Sequence, residues 1–266
     1  MTSRAIPNLR GDLRVYASAE GVAQAAAELF VRTSQGAIRK RGRFAVALSG
    51  GSTPKRTYEL LAKPEFSRSV DWNRVHLFWG DERYVAHDDP SSNFRMTREA
   101  LLSSIAIPAE NIHAVPTELT PPEAAASAYE AEIRRVIGET PTLPRFDLIY
   151  LGLGTNGHTA SLFPHSPILK EQARLVAADF VAELDRWRIS MTFPLLNSSE
   201  RVAFLVAGAD KAQVMRDVLV GPLDPERLPA QSISPRGELL YLADVAAVAE
   251  LPHTTLLTEA KQTRAS

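Results

Sequence analysis

The chain has 266 residues, 45% of them hydrophobic and 23% charged, with a formal net charge of −1. This composition suits a globular protein with a sizeable core and gives no electrostatic case for binding nucleic acid or an anionic membrane, so any bound anion must be held by local groups. Cysteine is absent, which excludes disulfides, thiolate nucleophiles and cysteine-based metal sites.

The first residues, MTSRAIPNLRGDLRVYASAEG, carry no apolar core of signal-peptide length. The longest apolar stretches, such as residues 203–209, are too short to span a bilayer. The expected location is the cytoplasm. Apolar runs and helical patterns then alternate. Residues 19–33 place Val22, Ala26, Leu29 and Phe30 on one helical face. A strand is expected at 44–48, a helix at 54–62, a strand at 75–79 and a helical pattern running from Ser92-Asn93 to Leu102. A helix follows at 123–137 with Tyr129, Ile133, Val136 and Ile137 in register. Strands are expected at 146–151, 188–192 and 202–206, a helix at 211–220, and a last strand at 238–242. The strands are nearly continuously apolar, as expected where both faces are covered. Proline-rich joints at 116–122, 141–144 and 222–229 read as loops and not as domain linkers. The expectation is one α/β domain over residues 1–266, a largely parallel sheet flanked by helices. Ligands of such sheets bind beyond the carboxyl ends of the strands.

After the strand at 44–48 comes Ser49-Gly50-Gly51-Ser52-Thr53-Pro54. Glycines let the backbone turn sharply and approach a ligand. Thr53 suits a helix cap and Pro54 a first helical position, so the helix would turn its free N–H groups onto the loop, a phosphate-binding arrangement. A capped turn without ligand fits the loop equally well, and the Walker spacing is missing. After the strand at 75–79, Gly80-Asp81-Glu82-Arg83-Tyr84 places Asp81 at a strand end and offers the Arg83 fork to oxygen ligands. A surface salt bridge is the reading preferred for Glu82. Ser92-Asn93 is expected to cap its helix, with contact between Asn93 and a sugar hydroxyl as the alternative.

Residues 152–157 match Gly-x-Gly-x-x-Gly, but Pro164 and Pro167 limit any following helix to about two turns, too short for a dinucleotide-binding crossover. His158 stands in this polar turn and is the candidate base, because histidine moves protons near neutral pH. A helix start at this turn would disfavour its charged form. The other reading is a histidine that only caps the turn. Histidines 76, 87, 113, 165 and 253 read as structural or solvated. No metal-ligand spacing and no Gly-x-Ser-x-Gly elbow occurs, so neither a metal nor a serine nucleophile is expected. Arg188 opens an expected strand. Lys211 falls in the first turn of a helix that Asp210 would cap, where a cation opposes the dipole unless an anionic ligand is present; a solvated lysine is the alternative.

Taken together, the segments LSGGSTP (48–54), GDER (80–83) with Ser92-Asn93, LGLGTNGHTASLFP (151–164) and VAGADKA (206–212) resemble the glucosamine-6-phosphate isomerase/6-phosphogluconolactonase family, and its 6-phosphogluconolactonase branch in particular, over nearly the whole chain. The resemblance implies a Rossmann-like, glucosamine-6-phosphate isomerase-like fold and hydrolysis of 6-phosphogluconolactone in the pentose phosphate pathway, with a small-molecule substrate and no cofactor. It also implies that Gly50, Gly51, Ser52 and Thr53 hold the phosphate with Lys211 and Arg188, that His158 is the general base, and that Asp81 and Arg83 position the sugar ring or the attacking water. The family usually has aspartate where this chain has Asn156, which can orient the histidine but supplies no charge. The alternatives are a glucosamine-6-phosphate isomerase/deaminase, a sugar-phosphate sensor without turnover and, more distantly, an NAD oxidoreductase.

Overall fold

The computed structural model describes residues 9–138 and 143–252. Pro141 and Thr142 of one expected loop, His253, and the first eight positions lie outside the described residues. In chain order the elements are β1 Asp12–Tyr16, α1 Ala19–Arg41, β2 Phe44–Leu48, α2 Ser52–Leu61, α3 Pro64–Ser67, β3 Val75–Trp79, β4 Asp81–Arg83, α4 Asn93–Ala100, α5 Pro122–Ile137, β5 Leu148–Leu151, β6 Val176–Val181, β7 Arg186–Met191, α6 Phe193–Ser198, β8 Arg201–Val206, α7 Ala212–Val220 and β9 Glu238–Asp244, with short 3-10 turns between several of them.

Six strands form a parallel sheet in the order β1-β9-β8-β5-β2-β3. The centre is apolar because it is covered on both faces: β2 reads FAVAL, and every residue of it is buried. Helix α1 runs to Arg41, eight residues past its expected end. Ser34 and Ala37 keep the buried stripe going, and Arg39, Lys40 and Arg41 suit the negative end of the dipole. Gly42, in the left-handed region at φ 74°, stops the helix.

A second sheet, β4-β7-β6, is antiparallel. It corrects the expectation for 188–192. That strand spans Arg186–Met191, so Arg188 sits inside it, and it pairs with β4 and β6 and not with the parallel sheet. Asp185, at φ 48°, closes the β6–β7 hairpin that makes antiparallel pairing possible. The Met191 N–H donates to the Gly80 carbonyl at 2.9 Å, fastening the small sheet beside the carboxyl end of β3. Among the described residues no helix is long and apolar enough to cross a membrane.

Two buried tyrosines hold the strand ends where the site forms. The Tyr58 hydroxyl, from α2, accepts from the Ser49 N–H at 2.9 Å and donates to the Ser49 carbonyl at 2.9 Å. Tyr129, from α5, does the same at Trp79, at 2.7 and 3.0 Å. Each satisfies a backbone donor and acceptor where the ladder stops. Of the histidines set aside in the sequence, His76 and His113 face each other at 3.1 Å, and His113 meets Glu132 at 2.7 Å. His87 meets the Val115 carbonyl at 2.8 Å, and His165 is exposed.

Candidate active site

A cleft of about 290 Å³ opens at the carboxyl ends of β2, β3, β5 and β8, and Gly50, Gly51, Ser52, Thr53, Asp81, Arg83, His158 and Lys211 line it. Asn156 and Arg188 are not among the lining residues: Asn156 bonds the His158 ring, and Arg188 pairs with Arg83 across β4 and β7. Ser49, Asn93 and Ala160 also line the cleft, although none of them had a firm ligand role on sequence grounds.

The loop after β2 turns into α2 two residues earlier than expected. Gly51, not Thr53, is the cap, with φ 108° and no side-chain cap bond, and Ser52 begins the helix. A positive φ of this size favours glycine. The ladder starts with the Lys55 N–H bonded to the Gly51 carbonyl at 3.0 Å. The earlier N–H groups have no partner within the helix, and together with the dipole they make a seat for an anion. Across the cleft Lys211 ends a 3-10 turn, Ala209–Lys211, and caps α7. Asp210 does not cap that helix; its carboxylate lies 3.3 Å from the Lys211 ammonium.

His158 lies in an irregular turn: no helix begins there, contrary to expectation. The Gly154 N–H donates to the His158 carbonyl at 2.9 Å, and Thr159 Oγ1 donates to the Gly152 carbonyl at 2.9 Å. These bonds, with Ala160 at φ 47°, fold the segment back on itself. A β-carbon at Gly154 would collide with the His158 ring, so glycine is required for the ring to lie where it does. Phe163 stacks on its other side, with centroids 4.3 Å apart. Asn156 Oδ1 accepts from the His158 N–H at 3.2 Å and from Nδ1 at 2.6 Å. Because an amide oxygen only accepts, Nδ1 carries the ring proton and Nε2 keeps its lone pair. Burial holds the His158 pKa below the ordinary histidine value; Asp81 pulls it up, while Lys211, Arg188 and Arg83 push it further down. Desolvation and neighbouring cations thus replace the expected helix dipole as the cause.

Asp81 opens β4 and does not end β3. It is buried, and Ser161 Oγ donates to its Oδ2 at 2.7 Å. Arg83 bonds the Ser91 carbonyl. Arg188, its cross-strand partner, is only 8% exposed, and its Nη1 is buried without a hydrogen-bond partner. Burial and the Arg83 charge lower the Arg188 pKa. The surface reading of Glu82 is overturned: it is 1% exposed and accepts from backbone N–H groups of Arg83, Asn93 and Phe94. Ser92, not Asn93, caps α4, accepting from the Arg95 N–H at 3.1 Å. Among the described residues no group of three or more His, Cys, Asp or Glu side chains is placed to hold a metal.

A parallel α/β sheet whose strand ends gather an anion seat, two arginines and a proton-accepting imidazole defines an enzyme class acting on small anionic molecules. The family model described as glucosamine-6-phosphate isomerases/6-phosphogluconolactonase matches residues 17–242, and the chain belongs to that family. A 6-phosphogluconolactonase of a Synechocystis species is 46% identical over 210 residues, which is 78% of this chain and 85% of that protein. The solved 6-phosphogluconolactonase of Trypanosoma cruzi superposes with a TM-score of 0.82 at 26% identity, covering 92% of this chain and 98% of its own. A monomeric glucosamine-6-phosphate deaminase superposes at 0.76 over 90% of this chain and 99% of its own; at 21% identity it shares the fold.

Proposed function

We propose that the chain hydrolyses 6-phospho-D-glucono-1,5-lactone to 6-phosphogluconate in the oxidative pentose phosphate pathway, without a cofactor. The observation that carries this reading is one cleft holding both the α2 anion seat and His158 with Nε2 unprotonated, in a relative 46% identical to a 6-phosphogluconolactonase. The phosphate sits on the N–H groups of residues 50–53, with Lys211 and the unpartnered Arg188 supplying charge. Anchoring a non-reacting end positions the carbonyl at the other. His158 Nε2 takes a proton from water as the water oxygen bonds to the lactone carbon. The oxyanion is stabilised by backbone N–H groups or Arg83. The bond to the ring oxygen then breaks, and that oxygen takes the proton from His158. Asp81, held by Ser161, orients the sugar or the water.

We read residues 1–266 as one cytoplasmic domain acting on a small molecule, without nucleic-acid or membrane partners. The buried core, continuous from β1 to β9 and reaching the small sheet through Val176, Ile189 and Met191, supports the single unit. The deaminase reading is disfavoured because the relatives at 45–46% identity are 6-phosphogluconolactonases, whereas the deaminase is 21% identical. Given glucosamine 6-phosphate, the protein should release no ammonia above background while it turns over the lactone. Ammonia release with an inert lactone would reverse the assignment.

Asn156→Asp should raise the pKa of the base governing kcat/KM, because a carboxylate beside an imidazole favours its charged form. The wild-type base starts below the ordinary histidine value. The base therefore protonates at a higher pH in the variant, and activity is lost earlier on acidification. After subtraction of spontaneous hydrolysis, coincident acid limbs would detach Asn156 from the catalytic base.

A further inference from the structure

Glu82 is the buried ionisable group that the mechanism above does not use. Its Oε1 accepts from the Arg83 N–H at 2.8 Å and the Asn93 N–H at 2.7 Å. Its Oε2 accepts from the Phe94 N–H at 2.7 Å and the Ser92 hydroxyl at 3.3 Å. All four partners donate. An ionised carboxylate, which only accepts, matches such a ring, whereas a protonated acid or an amide would turn a donor against a donor. Helix α4 has no acidic residue of its own in its first turn; Glu82 reaches it from β4 and takes that place at the positive end of the dipole.

The ring ties together two elements, β4 and α4, that both supply cleft-lining residues. Asp81 and Arg83 flank Glu82 on β4, and Asn93 opens α4. Asn93 Nδ2 donates to the Asp81 carbonyl at 2.8 Å. Asn93 also packs against Gly50 of the anion seat so closely that a β-carbon there would collide with it. Arg83 reaches the Ser91 carbonyl in the segment that leads into α4. Glu82 itself is not among the residues lining the cleft.

We propose that Glu82 is a positioning residue whose carboxylate locks β4 to the start of α4 and so fixes Asp81, Arg83 and Asn93 relative to the anion seat. This inference rests on the lactonase reading above. Misplacing a positioned group by about 1 Å can cost on the order of 10²-fold in rate. Glu82→Gln keeps the size but leaves one backbone N–H facing an amide donor. It should fold, lose on the order of 10²-fold in kcat/KM per folded molecule, and lose more in kcat than in KM, because Lys211 and the α2 N–H groups stay in place.

A double-mutant cycle with Arg83→Ala separates positioning from a general loss of stability. If Glu82 acts through Arg83, Glu82→Gln costs much less in the Arg83→Ala background than in wild type. Full additivity, or wild-type kcat in folded Glu82→Gln, would overturn the inference. Should Glu82→Gln fail to fold, the same cycle is run with Ser92→Ala, which removes a single donor from the ring; the same non-additivity is expected, and additivity counts against the inference. The wild type is assayed alongside. An inactive wild type would overturn the lactonase reading and the inference with it, whereas an active wild type with additive losses would overturn the inference alone.

Discussion

Substituting His158 by alanine is expected to lower kcat/KM for 6-phosphogluconolactone by about 10²–10⁴-fold, the range for loss of a general acid–base group. The ring has one nitrogen committed to Asn156 and the other free, and burial together with three cations keeps it unprotonated near neutral pH. Its ring packs against Phe163 and the Gly154 backbone in an irregular turn, outside the sheet core. The backbone bonds that shape the turn, from the Gly154 N–H to the His158 carbonyl and from the Gly157 N–H to the Gly154 carbonyl, do not involve the side chain. The variant should therefore unfold cooperatively near the wild-type temperature. Initial rates and a thermal melt on one preparation check both halves. A folded variant with near-wild-type turnover would remove His158 from the reaction.

Lys211→Ala is expected to weaken binding of 6-phosphogluconate by about 10- to 100-fold, as for loss of a hydrogen bond to a charged group worth roughly 1.5–3 kcal/mol. The empty protein should lose no stability. Lys211 caps α7, where a cation opposes the dipole, and its contact with Asp210 is a surface pair of small worth. Comparing melting temperatures with and without 6-phosphogluconate tests this. The ligand-induced shift should shrink in the variant while the unliganded midpoint stays or rises. Equal ligand-induced shifts in the two proteins would place the phosphate away from Lys211.

Five of the six parallel strands were legible because they are largely continuous apolar runs; β1, DLRVY with alternating burial, was not expected from the sequence. Residues 44–48 and 75–79 were delimited from sequence with the bounds observed. The cleft was legible for a related reason: ligand-contacting residues follow those strands directly, and the resemblance rested on the same loops. The antiparallel sheet was not. Strand β4 is three residues, Asp81–Arg83, all charged. It is a strand because β7 lies beside it and not through its own propensity, a case of tertiary context overriding local preference. The turn at 158–164 has a helix-like composition up to Pro164, but Ala160 in the left-handed region and the return of Gly154 onto His158 exclude a helix. Glu82 looked like a surface acid because three of its four partners lie ten or more residues along the chain. One signal was present: Ser92-Asn93 starts a helix whose first turn carries no acid, an opening for a carboxylate from elsewhere. Arg188 gave no local sign of burial, and only the β4–β7 register sets it beside Arg83.

The central claim is that this cleft opens a phosphorylated sugar lactone with water. The most direct measurement is the initial rate of acid release from freshly prepared 6-phosphogluconolactone at near-neutral pH, with spontaneous hydrolysis recorded in parallel without protein. A rate that rises in proportion to protein concentration, well above the spontaneous rate, and that falls to background with His158→Ala is the predicted result. Acid release indistinguishable from the spontaneous rate at every protein concentration would contradict it.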